Sequence, residues 1–126
     1  MIILDYKDRR PINEQVFDQF KKLILSGVLK EGESMPSVRS LATSLAVNPN
    51  TVQRAYARLE QEGYIYTVSG KGSFIAVTDS LLEQQQLEWF RKLKELLTAG
   101  ALLNISKENI EACIHNYPDP IIKNRQ

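Results

Sequence analysis

At Gly63 the apolar period of this chain changes, and no other feature limits its possible folds as much. Upstream, hydrophobic side chains recur at the three- and four-residue spacings of amphipathic helices. Downstream, "YIYTVSGKGSFIAV" is rich in β-branched and aromatic residues around a glycine-containing turn, the pattern of a two-stranded hairpin. The expected fold is mainly α with a small β-hairpin.

The upstream part divides into three helices. In the first, Ile12, Val16, Phe20, Leu23 and Ile24 share a face, Pro11 occupies the first helical position and Gly27 ends the helix in a left-handed turn. The connector "VLKEGESMP" reads as turns. Ser37 caps the second helix, whose buried stripe is Val38, Leu41, Ala42 and Leu45. A short turn leads to the third helix, which buries Val52, Ala55, Tyr56 and Leu59 and stops at Gly63. Two helices joined by so few residues form a helix-turn-helix, and the hairpin after them makes it a winged one.

The third helix opens unusually, with Asn48-Pro49-Asn50-Thr51. Asn48 can cap the first turn, and Pro49 suits the first helical position because its missing N–H would be an orphan there. Asn50 and Thr51 are thereby held in an exposed first turn. In helix-turn-helix proteins this tip faces base edges in the major groove, where asparagine can pair with adenine and threonine can contact thymine. Gln53 and Arg54 continue the same polar surface. Taken alone, the tetrapeptide reads better as nothing more than a well-capped helix start; its third place in the order of elements gives it the functional reading.

Charge supports that reading locally. The net charge is only +1, but residues 1–77 carry +2 and residues 78–126 carry −1. No acidic residue lies between Glu33 and Glu60, an interval holding Arg39, Arg54 and Arg58. Such a stretch suits a polyanionic partner. Arg58 is set aside, because Glu62 four residues on offers it an ordinary ion pair. At the hairpin tip, Lys71 supplies a charge, and Gly72 allows close approach to a phosphate.

Several separated pieces, "SG-x-L-x-x-G", "PS-x-R-x-L-A", "N-x-x-T-V-x-R-A-Y", "L-x-x-E-G" and "G-K-G-S-F", agree in order and spacing with one pattern. Through them residues 26–76 resemble the DNA-binding domain of GntR-family bacterial transcription regulators, and the wording "VNPNTVQRAY" with the short tail is similar to the family's YtrA-like branch. The resemblance implies a homodimeric repressor on a near-palindromic operator in double-stranded DNA. It carries DNA contact onto Arg39 of the second helix, onto Asn48, Pro49, Asn50, Thr51 and Gln53 of the third, and onto Lys71 and Gly72 of the wing; Ser37, at the cap of the second helix, and Arg54, on the polar surface of the third, complete the expected DNA-binding set. This chain departs from other branches at Pro49 and Gln53, where arginine is often found. YtrA-like regulators are often encoded beside ABC transporter genes, which makes membrane transport the implied regulon.

Residues 78–126 read as a two-helix dimerisation element. A long helix carries Leu82, Trp89, Leu93, Leu96 and Leu97 as an apolar seam. A second helix starts after Ser106, with Ile105 and Ile110 placed as a hydrophobic staple; Ile114 and Tyr117 continue its face, and "PDP" ends it before a frayed tail. Two such helices cannot enclose their own apolar faces, so a second subunit is expected to cover them. A two-fold dimer would set two recognition helices one helical turn of DNA apart, roughly 34–36 Å, or a multiple of it. The tail leaves little room for an effector pocket within one subunit, and no effector is named by the sequence.

Other classes find little support. No apolar run reaches the roughly 20 residues of a membrane span, and the N-terminus lacks the pattern of a secretory signal. Cys113 is the single cysteine, which fits a reducing cytoplasm. Cys113 and His115 lie two apart, on different helix faces, so no metal site is expected. One histidine, one cysteine and no phosphate loop leave no catalytic set and call for no cofactor. The alternative to a DNA reader is a winged-helix module that binds a protein through its third helix.

Overall fold

The computed structural model describes residues 2–76 and 79–119. The order of elements is α1 (Ile12–Leu25), α2 (Val38–Leu45), α3 (Pro49–Gln61), β1 (Ile65–Val68), β2 (Gly72–Ile75), α4 (Asp79–Leu102) and α5 (Lys107–Asn116). They form two compact units, the first running to Leu81 and the second starting at Leu82. The expected boundary, at residues 77 and 78, lies outside the described residues, as do Pro120 and the tail after it.

In the first unit α1 and α2 both pack on α3, and α3 packs on β1. Val16, Phe20, Ile24, Val52, Leu59, Tyr64 and Ile75 are all fully buried there. Phe20 meets Tyr56 edge-on at 5.7 Å, and Phe17 meets Tyr64 likewise at 6.1 Å, a geometry favoured by the ring quadrupoles. Pro11 differs from expectation. It is the N-cap of α1, with extended ψ of 148°, rather than the first helical residue. Its carbonyl accepts the Glu14 and Gln15 N–H groups, a role that needs no N–H of its own. Gly27 does terminate α1 with φ of 81°.

Two features of this unit are absent from the sequence reading. The connector between α1 and α2 is not only turns. Gly32 N–H donates to Ile75 O at 2.8 Å, Ile75 N–H to Glu33 O at 2.9 Å, and Met35 N–H to Ser73 O at 2.8 Å. The connector therefore covers the free edge of β2 and joins the hairpin to the start of α2. The other feature is Gln15, a buried polar residue. Its Oε1 accepts from Asp5 N–H at 3.0 Å and its Nε2 donates to Arg10 O at 3.2 Å. Gln19 bonds both backbone groups of Ile3. These two amides hold the N-terminal segment along α1, which places Ile2 in the core.

The second unit is a helical hairpin. Ser106 Oγ caps α5 by accepting Asn109 N–H at 3.1 Å. At the turn, Ile105 packs 3.7 Å from where a Gly100 side chain would begin. No residue of α5 is buried.

Candidate nucleic-acid interface

The tip of α3 is fixed by its own backbone. Asn48 is extended, with ψ of 133°, and its Oδ1 accepts Asn50 N–H at 2.8 Å while its carbonyl accepts Thr51 N–H at 2.9 Å. Pro49 holds the first helical position. The cap uses the backbone N–H of Asn50 and leaves that residue's side-chain amide directed to solvent. Asn48, Pro49 and Asn50 are exposed, and Thr51 is half-buried. One turn on, Gln53 and Arg54 are exposed, while Val52, Ala55, Tyr56 and Leu59 lie in the core. One face of α3 is thus committed to packing and the other to solvent.

The start of α2 is tied to this helix and to the wing. Tyr56 Oη donates to Pro36 O at 2.7 Å, so the residue before the α2 cap is held by α3. Burial raises the Tyr56 phenol well above its ordinary pKa, so it remains a donor. Ser37 caps α2, its Oγ accepting Ser40 N–H at 3.0 Å. Arg39 stands exposed in the first turn. Neither Arg39 nor Arg54 has an ion-pair partner among the described residues. Arg58, by contrast, is engaged: its Nε donates to Glu62 at 2.8 Å and its guanidinium lies 3.9 Å from the centre of the Phe17 ring. The ion pair with Glu62 that the sequence suggested for it is present.

The wing pairs β1 and β2 antiparallel, with Ile65 opposite Ile75 and Val68 opposite Gly72. Ile65 and Ile75 anchor its base in the core. Lys71 N–H returns to Val68 O at 2.9 Å, and Gly70 takes φ of 77° at the third position of that turn, a conformation glycine adopts without strain. Lys71 and Gly72 are exposed at the tip. The two hydrogen bonds that the sequence did not reveal, Tyr56 to Pro36 and Met35 to Ser73, are what mount the α2 start, the α3 tip and the wing on one scaffold. Only a period-two alternation in the connector could have signalled the second, and Gly32 and Pro36 interrupt it.

The residues expected to dimerise are distributed differently. Leu93, Leu96, Leu97, Ile110 and Ile114 line one apolar groove of about 440 Å³ between α4 and α5, together with Gly100, Leu103, Ile105 and Cys113. The two helices meet at Gly100 and Ile105, and the space between them is an open groove rather than an enclosed pocket. Trp89 lies outside the groove, in a shallow hollow with Leu93 and Leu96. Leu82 is half-buried and lines neither. Phe90, which the sequence reading omitted, stacks edge-on against Trp89 at 5.1 Å. Among the described residues no cluster of metal-ligating side chains occurs, and no helix is long and apolar enough to cross a membrane.

Comparison with known proteins agrees with this geometry. Residues 12–75 match the family model described as bacterial regulatory proteins, gntR family. The chain is 38% identical over 116 residues to the HTH-type transcriptional repressor YtrA of Bacillus subtilis, covering 90% of this chain and 89% of that one. Among solved structures it resembles a transcriptional antiterminator from Listeria monocytogenes EGD-e, with a TM-score of 0.71, 40% identity, and coverage of 97% of this chain and 92% of the other. It also resembles AraR(DBD) in complex with operator ORE1, with a TM-score of 0.52, 25% identity, and coverage of 60% and 93%.

Proposed function

The chain belongs to the GntR family of bacterial transcription regulators, and from that premise we propose that it is a cytoplasmic repressor that acts by occupying a near-palindromic operator as a homodimer. Its membership makes it a DNA-binding regulator and not an enzyme. The observation that carries the finer reading is the exposed tip of α3, capped internally by Asn48 and carrying the free side chain of Asn50. In this reading Asn50, Thr51 and Gln53 read base edges. Asn48, Pro49 and Arg54 flank them. Ser37, Arg39, Lys71 and Gly72 position the domain on the phosphate backbone. The homodimer reading rests on the exposed apolar groove and seam of the second unit, which a second copy would cover. Regulation of ABC transporter genes is proposed from the likeness to the YtrA branch.

The test is a mobility-shift and footprinting experiment with DNA upstream of the chain's own gene. A protected palindrome is expected, bound with an affinity that falls steeply as salt rises. Absence of any shift at low salt would overturn the reading in favour of a protein-binding winged helix. Transcript profiling of a deletion strain, with transporter genes expected to rise, tests the regulon.

A further inference from the structure

We propose that the Tyr56 hydroxyl is a positioning group for operator recognition: by holding the Pro36 carbonyl it keeps the start of α2, and with it Arg39, in register with the tip of α3. The role rests on the DNA reading above, and it falls on a residue that faces the core rather than the DNA.

Pro36 has no N–H, so its carbonyl is the only backbone group through which it can be tied down. It lies just before the α2 cap, where Ser37 already serves the helix, its Oγ accepting Ser40 N–H and its carbonyl accepting Leu41 N–H. From α3, Tyr56 Oη reaches the Pro36 carbonyl at 2.7 Å. The hydroxyl is held in place because its ring is confined. Tyr56 is only 5% exposed, and the ring stands edge-on to Phe20 of α1.

The body of α2 needs no such help. Leu41 and Ala42, in its second turn, are buried in the core. In its first turn Val38 is only half-buried, and Arg39 and Ser40 are exposed. Packing therefore grips the second turn, and the approach to the first turn is held by two hydrogen bonds. Met35 N–H donates to Ser73 O of β2, and the Pro36 carbonyl accepts from Tyr56. The first bond joins the α2 start to the wing. The second joins it to α3. Without the hydroxyl the α2 start keeps its tie to the wing and loses its tie to the recognition helix.

On DNA that tie has a specific consequence. Phosphate contacts set where the domain sits, and base contacts read the sequence. On the operator both sets must be met at once, so any error in the placement of Arg39 relative to Asn50 is felt there. On random duplex the tip has no matched bases, and the domain settles wherever the phosphates allow. The hydroxyl thus acts on specificity and not on charge. Asn50 itself does not depend on it, because Asn48 makes that cap within α3.

A double-variant cycle tests the role. Tyr56→Phe keeps the ring and deletes only the hydroxyl. The parent chain, Tyr56→Phe, Arg39→Ala and the double variant are titrated by fluorescence anisotropy against the footprinted operator and against random duplex, under conditions where urea titrations show each chain folded. Ile24→Val, a core truncation in α1 that leaves the hydroxyl in place, controls for lost stability. Tyr56→Phe is expected to bind the operator about three- to tenfold more weakly and random duplex as the parent does. Arg39→Ala should weaken both complexes in the parent. In the Tyr56→Phe background it should cost the operator complex much less, because an arginine already out of register has little left to lose. Ile24→Val should bind as the parent does. An unchanged operator affinity in Tyr56→Phe, an equal loss on both DNAs, losses that multiply in the double variant, or a matching loss from Ile24→Val would overturn the positioning role and leave the DNA reading standing. An Arg39→Ala chain that binds the operator as tightly as the parent would overturn the role together with the place of Arg39 in the site. A parent chain that binds no operator would overturn the DNA reading as well.

Discussion

The first unit buries its large apolar side chains completely, from Val16 in α1 to Ile75 in β2, and turns its uncommitted polar groups outward. The second does the reverse. Among its described residues only Gly100 is buried, while Leu96 is 70% exposed, Leu102 88% and Ile114 65%. Both units form helices from the same kinds of local signal, Asn48 capping α3 and Ser106 capping α5. Local signals therefore specify where helices begin and end, but not whether their faces find partners within one chain. The first unit is complete as a fold and presents a polar surface suited to DNA. The second is complete only as secondary structure.

The contrast is broken most directly by truncating one aromatic side chain in each unit. Phe20→Ala removes a fully buried ring and should cost about 3–5 kcal/mol in urea unfolding of the full chain, with a shift that does not depend on protein concentration. Phe90→Ala should act only through association, so its effect on unfolding should grow with protein concentration. A loss from Phe90→Ala that is equal at all concentrations would mean that the second unit is already packed in the monomer.

Leu96→Asp sharpens the same point. An aspartate carboxylate on the seam would have no partner there, and association should weaken by about 3 kcal/mol when measured by sedimentation equilibrium. Unfolding of the first unit should be unchanged. Dimerisation that withstands Leu96→Asp would place the interface on another face of α4.

Legibility in the sequence followed the same division. The limits of α3 were readable because Asn48, Pro49 and Gly63 act on their own backbone, and its two faces because Val52, Ala55, Tyr56 and Leu59 keep a strict helical spacing. The site's supports were not readable. The Tyr56 to Pro36 bond joins residues 20 apart, and the pairing of Met35 with Ser73 joins a connector to a strand that follows two further helices. Nothing in a local pattern favours those partners over others. Phe17 was missed for a related reason. It lies at the edge of the α1 stripe, and its burial depends on Tyr64 and on Arg58 stacking over it.

On DNA the comparison lies between the α3 tip and the wing. Asn50→Ala should lose about 1–3 kcal/mol on the cognate operator and little on random sequence, as measured by fluorescence anisotropy. Lys71→Ala should weaken both alike and lower the salt slope by about one. Equal losses on both DNAs from Asn50→Ala would move base reading away from the tip.

The smallest effect concerns a flaw within the well-packed unit. Tyr64 is fully buried, and its hydroxyl has no hydrogen-bond partner among the described residues. Burial, followed by the nearby Glu62 carboxylate, pushes its phenol up to about 12. A phenol that titrates higher in the folded chain than in the unfolded chain holds its proton longer when folded. Its contribution to stability is therefore intact below the unfolded value of about 10 and is lost as pH rises toward 12. Tyr64→Phe removes both the orphan hydroxyl and its titration. The variant should be about 1 kcal/mol more stable at neutral pH, because no buried polar group is left unsatisfied. Its thermal midpoint should also fall less between pH 10 and 12 than that of the parent chain. A destabilised Tyr64→Phe would show that the hydroxyl has a partner after all, and the first unit would then extend beyond the core described above.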